Sequence, residues 1–109
     1  MTWTETDIAS LHSSTDCVLV DVREIDEYVA GHIPGALNIP LSQLTDLVSQ
    51  VPTADTVHVV CQAGGRSARA CEFLSQQPQF SSTQFVNVMG GTGAWILEGH
   101  DVVVGQEPH

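Results

Sequence analysis

The stretch Cys61-Gln62-Ala63-Gly64-Gly65-Arg66-Ser67-Ala68 has the residue types and spacing to do chemistry. The apolar, β-branched run Val57-His58-Val59-Val60 leads into it, and a helix-like segment from Ser67 to about Gln76 leads out. A cysteine at a strand end becomes a useful nucleophile only as the thiolate. Three features of this loop favour that form. A helix beginning near Arg66 aims unpaired N–H groups and the positive end of its dipole at the loop. Gly64 and Gly65 can adopt backbone conformations closed to other residues, so successive amides can turn inward as an anion nest. Arg66 adds a fixed charge with several donors. The competing reading is a small core cysteine above a tight turn. Two glycines and an arginine at a helix start have no packing purpose in that reading. The sequence therefore favours Cys61 as nucleophile, with Gln62, Ala63, Gly64, Gly65, Arg66 and Ser67 as its anion-binding loop.

The elements that must position this loop alternate between strand and helix. Thr6 to Leu11 reads as a short helix capped by Thr4 or Thr6. Cys17 to Val22 reads as a buried strand. Glu24 to Ala30 is a short helix, which a left-handed Gly31 would end. His32-Ile33-Pro34-Gly35 is a turn, and Ala36 to Ile39 a second short strand. Ser42 is placed to cap a helix reaching about Ser49, with Leu44, Leu47 and Val48 on one face. Val57 to Val60 and Gln84 to Val88 are further strands. Thr92 to Leu97 is a short helix opened by Gly90-Gly91, and Val102 to Val104 a last extended piece. Strands separated by helices imply a mainly parallel sheet covered on both faces. Such sheets place functional loops at the carboxyl ends of their strands. Asp21 and Arg23, the Cys61–Arg66 loop and Met89-Gly90-Gly91 are then expected at one edge, around Cys61.

Composition narrows the function. The 109 residues form one domain, spanning 1–109, with only 105–109 expected to be loose. Thirteen acidic residues face three arginines and no lysine, a formal charge of −10. That balance argues against nucleic acid or an anionic membrane as partner. The first residues are polar and acidic, and no apolar run is long enough to span a bilayer, so a cytoplasmic address is expected. The three cysteines, Cys17, Cys61 and Cys71, show no framework spacing and fit reduced thiols. No Cys/His spacing gives a metal site. Cys17 and Cys71 read as core, as does Trp95 beneath the glycine loop. His32 reads as structural. Arg69, one turn into the helix, has even claims to the pocket mouth and to plain surface.

With these residues set out, a resemblance becomes visible. Cys61-Gln62-Ala63-Gly64-Gly65-Arg66-Ser67 resembles the active-site loop of the rhodanese family of sulfurtransferases. Upstream, Asp21-Val22-Arg23-Glu24, Glu27-Tyr28 and the run Gly31 to Pro40 are similar to that family's signature. Downstream, Gly90-Gly91 and Trp95 resemble its closing segment. The resemblance implies a rhodanese-like three-layer α/β domain, with a central, mainly parallel five-stranded sheet flanked by helices. It implies that Cys61 carries a sulfane sulfur as a persulfide in ping-pong catalysis, with no metal or organic cofactor. A small anionic donor such as thiosulfate supplies the sulfur, and cyanide, a thiol or a sulfur-relay protein accepts it. Asp21 and Arg23 then support the loop rather than react. Four residues separate Cys61 from Arg66, a shorter loop than the Cys-x5-Arg of cysteine-dependent phosphatases. Gln62 is neutral and the exterior acidic, so thiosulfate is expected to bind weakly. The alternative is a sulfur-carrier or regulatory docking module with poor turnover.

Overall fold

The apolar, β-branched runs become the centre of a sheet. In the computed structural model, which describes residues 3–14 and 17–109, five strands lie in the order β1-β5-β4-β2-β3 and every pairing is parallel. They are β1 (Trp3–Thr6), β2 (Val18–Asp21), β3 (Leu37–Asn38), β4 (Thr56–Val60) and β5 (Gln84–Val88). The helices are α1 (Ile8–Ser13), α2 (Ile25–Ala30), α3 (Leu44–Leu47), α4 (Gly65–Ser75) and α5 (Gly91–Leu97).

Side chains alternate across a strand, so each central strand feeds two cores. Val20, Val57, Val59 and Phe85 meet Ala70, Cys71 and Leu74 of α4, together with Leu44 and Val51. Leu19, Val60 and Val88 point the other way, to Ile8 and Leu11 of α1, Tyr28 of α2 and Trp95 of α5. Helices on both faces make three layers, and continuous apolar strands are what two buried faces require.

Several expectations change. Trp3–Thr6 form β1, and the helix begins later, at Ile8. Asp7 caps it by accepting the Ser10 amide at 2.8 Å. Trp-Thr-Glu-Thr is too polar to read as a strand, but pairing with β5 at the sheet edge overrides local preference. Val102 to Val104 is not a strand; Val103 makes a single antiparallel bridge to His32. The tail makes backbone contacts with the domain. The Gly105 amide donates to Val29 at 2.9 Å, Pro108 accepts from Gly35 at 2.9 Å, and the Glu107 carbonyl lies 2.9 Å from the His32 ring. Backbone bonds, invisible in a polar sequence, hold it. Gly31 is extended, at φ 161°, rather than left-handed. The helix expected after Ser42 is instead an α turn between 3-10 turns at Leu41–Gln43 and Val48–Gln50. Ser42 donates to the Glu24 carboxylate at 2.7 Å instead of capping it. α4 starts at Gly65, two residues before the expected start, because Gly64 supplies its left-handed cap.

Candidate active site

The carboxyl ends of β2, β4 and β5 converge as topology requires. Asp21, at the end of β2, is fully buried and holds Arg23, itself 3 % exposed, through its carboxylate at 2.9 Å. The Arg23 guanidinium also donates to the Gly31 carbonyl at 2.8 Å and to Oε1 of Gln62 at 3.2 Å. The buried ion pair thus ties the end of β2 to the loop after β4.

Cys61 follows β4, and its Sγ sits at the floor of the loop. The Gly64 amide donates to Sγ at 3.0 Å, and the Ser67 hydroxyl lies 3.3 Å away. Gly64 reaches this position at φ 113°, a left-handed conformation. A Cβ there would approach the backbone of Val88, Met89 and Gly90, so the loop rests on the end of β5. Gly65 differs from the expectation. It is the first helical residue, has no positive φ, and a Cβ on it would meet nothing within 4 Å. The loop's requirement for left-handed backbone falls on Gly64 alone.

The loop is also held from behind. The first amides of α5 bond its carbonyls: Thr92 donates to Cys61 at 2.9 Å and Gly93 to Gln62 at 3.0 Å. Gly91, at φ 61°, makes this possible, since a Cβ there would collide with the Cys61 and Gln62 carbonyls. Trp95 does not lie beneath the loop. It belongs to the opposite core, and its indole donates to the Asp101 carbonyl at 2.7 Å.

Electrostatics separate the three thiols. Burial opposes ionisation of Cys61, which is 1 % exposed. The Ser67 hydroxyl and the amides of Ser67, Gly64 and Ala63 outweigh it, and the thiol lies below its ordinary pKa. Burial pushes Cys71 up to about 12, with the charges of Glu5 and Cys61 adding, and burial alone raises Cys17. Cys61 is the one thiol of the three whose surroundings favour the thiolate.

Arg66 does not touch Sγ. Its guanidinium grips Glu27 of α2 in a bidentate pair at 2.6 and 2.9 Å. That hydrogen bond, against some burial, holds the Glu27 carboxyl down at about 2. The donors facing Sγ are therefore a hydroxyl and main-chain amides, and Arg66 closes the loop by docking it on α2. Gln62 and Ala63 are exposed on the rim. His32 is buried away from the loop, stacked on Tyr28 with both ring nitrogens facing carbonyls, as a structural residue would be.

Two residues escaped the sequence reading. Asn87 of β5 accepts from the Ser67 hydroxyl, and its Nδ2 faces Glu5 at 3.1 Å and the Gly64 carbonyl at 3.3 Å. Its signal was a polar residue inside the apolar run Phe85-Val86-Asn87-Val88. Glu27 stood within a quoted motif, but its partnership with Arg66 has no sequence signature.

Comparison with known proteins bears on the family of the chain. The Rhodanese-like domain model matches residues 4–98. A protein named sulfurtransferase from Allochromatium vinosum is 34% identical over 93 residues, which is 85% of this chain and 84% of that one. YqhL of Bacillus subtilis, described as uncharacterized, is 42% identical over 77 residues, 71% of this chain and 59% of that protein's length. The crystal structure of a rhodanese-related protein from Thermoplasma volcanium superposes with a TM-score of 0.83 at 35% identity, covering 96% of this chain and all of that one. The chain belongs to the rhodanese-like domain family.

Proposed function

We propose that this protein is a sulfurtransferase in which Cys61 carries a sulfane sulfur between a small anionic donor and a thiophilic acceptor. The observation that carries the proposal is the set of inward donors on Sγ, the Gly64 amide at 3.0 Å and the Ser67 hydroxyl at 3.3 Å. In the first half-reaction the thiolate attacks the outer sulfur of thiosulfate. A new S–S bond forms at Cys61, the S–S bond of thiosulfate breaks, and sulfite leaves with its electron pair. The bound sulfur stands about 2 Å beyond Sγ, above the floor of the nest. In the second half-reaction cyanide or a thiolate attacks that outer sulfur and restores the Cys61 thiolate. Protons are not transferred in either step when both nucleophiles are ionised, so no general base is needed.

Thiosulfate serves as a donor but not a tight one. Arg66 is neutralised by Glu27 and Gln62 is uncharged, so the loop offers a dianion hydrogen bonds with little net charge. A KM in the low micromolar range would contradict this. The assignment of Cys61 is tested by mass spectrometry after incubation with thiosulfate. Cys61 should gain about 32 Da, reversibly with cyanide, as a covalent intermediate requires. A Cys61→Ser variant that still transferred sulfur would remove the nucleophile from its role. Steady-state thiocyanate production distinguishes an enzyme from a carrier that loads once.

A further inference from the structure

We infer that Glu5, acting through Asn87, is a positioning residue that draws the Ser67 proton away from Cys61 and so restrains its thiolate; the inference rests on the reading of Cys61 as a sulfur-transfer nucleophile. Glu5 of β1 is the register partner of Asn87 of β5, so the two side chains leave the sheet next to each other and on the same face. Ser67 of α4 covers that face and meets Asn87 there. Asn87 is 2 % exposed and Ser67 is fully buried, so this contact is made away from water. The carboxylate of Glu5 is the exposed end of a chain that runs inward to the sulfur.

The direction of the bonds follows from which atoms can donate. Nδ2 of Asn87 faces Oε2 of Glu5 at 3.1 Å and the Gly64 carbonyl at 3.3 Å. A carboxylate and a carbonyl only accept, so the amino group of the amide must point at them. The amide oxygen is left for Ser67, and it too only accepts. The hydroxyl has one proton, and Oδ1 of Asn87 is nearer to it than Sγ at 3.3 Å or the Gly64 carbonyl at 3.2 Å. When the sulfur is neutral, as a thiol or as the inner atom of a persulfide, the proton rests on Asn87. When Sγ is charged the proton turns to it, against the pull of Asn87. Among the described residues, the other ionisable groups around this chain are already engaged or neutral. Arg66 is paired with Glu27, and Glu72 of α4 accepts from the Trp3 indole and the Gln76 amide. Cys71 of α4, which feels the charges of Glu5 and Cys61, is pushed up to about 12. Arg69 of α4 is exposed to solvent, and β4 places Val59 beside Asn87.

The test is the pH profile of iodoacetamide alkylation, read at Cys61 by mass spectrometry, in Glu5→Gln and Asn87→Ala, each with Ser67 present and with Ser67→Ala. Asn87→Ala removes the competing acceptor. The midpoint should fall by about 0.7 units, which makes alkylation about fivefold faster at pH 6. A glutamine at position 5 can donate as well as accept, so the Asn87 amide is free to turn its amino group to Ser67 and release the hydroxyl proton to Sγ. Glu5→Gln should therefore shift the midpoint in the same direction by about 0.3 to 0.5 units, roughly a twofold to threefold gain at pH 6. Both shifts should vanish in the Ser67→Ala background, because the hydroxyl is the link to the sulfur. Equal shifts in the two backgrounds would mean that the charge of Glu5 acts through space, and would overturn the inference. So would an unmoved or raised midpoint in Glu5→Gln, which would make the chain a plain support of the loop. Glu5 is exposed, so its variant decides the matter even where Asn87→Ala does not fold. Absence of a Cys61 persulfide in the wild-type protein would instead refute the sulfurtransferase reading, and the alkylation profiles would still decide the role of Glu5.

Discussion

Replacing Ser67 with alanine should raise the pKa of Cys61, and the structure sets the size of the change. The hydroxyl has one proton and three acceptors around it: Sγ at 3.3 Å, the Gly64 carbonyl at 3.2 Å and Oδ1 of Asn87, the nearest. A hydrogen bond to a charged group contributes about 2 kcal/mol, and turning the proton away from Asn87 costs about 1 kcal/mol. The net of about 1 kcal/mol corresponds to roughly 0.7 pKa units, or about a fivefold loss of thiolate in the acid limb. The assay is the rate of iodoacetamide alkylation from pH 5 to 10. Ser67→Ala should react about fivefold more slowly at pH 6 and nearly as fast as wild type at high pH, where both are ionised. The orphaned Asn87 carbonyl changes the melting temperature but not the midpoint of this profile. A variant whose profile overlays that of wild type would refute the reasoning and leave the amides as the whole source of the thiolate.

Glu27→Gln should destabilise the fold by about 1 kcal/mol at neutral pH, the ordinary worth of a partly exposed bidentate pair. Because the Glu27 carboxyl is depressed to about 2, its contribution is complete above the ordinary carboxylate range and is lost as pH falls through about 2. Chemical denaturation at pH 7 and pH 2 should therefore show two curves apart and then together; a gap that persists in acid would rule out the ion pair as its source. Gly91→Ala forces a Cβ into the Cys61 and Gln62 carbonyls and should cost about 2 kcal/mol or more along with most of the alkylation rate. Gly65→Ala, with open space and helical backbone, should leave the melting temperature unchanged or raised. Equal losses in the two glycine variants would contradict the steric account.

The sequence was most legible where local and global preferences agree. β5 appears at its expected residues, Gln84–Val88, because Phe85, Val86 and Val88 between two turns need burial, which an interior strand between β1 and β4 provides. The cysteine loop was legible for the same reason: apolar strand, glycines, then helix. Legibility failed where partners lie far along the chain. β1 is a strand only because β5 offers it an edge. The contacts of the tail come from the backbone of Val29 and Gly35 and the ring of His32, far back along the chain. In the site, Arg66 was expected on the thiolate because charge is easy to read and pairing is not. Its carboxylate arrives from α2, across 39 positions of sequence.

The amides of Thr92 and Gly93 fasten the loop's carbonyls while its N–H groups face the sulfur. On the proposed reading, the cradle would serve a bare sulfur anion and then a longer one without being rebuilt. The Gln62 carbonyl held by Gly93 shares its peptide plane with the Ala63 N–H, one of the amides that lower the Cys61 thiol, so anchoring that carbonyl fixes where this amide dipole aims. The anchor comes from α5, so a displacement of that helix would be felt at Cys61.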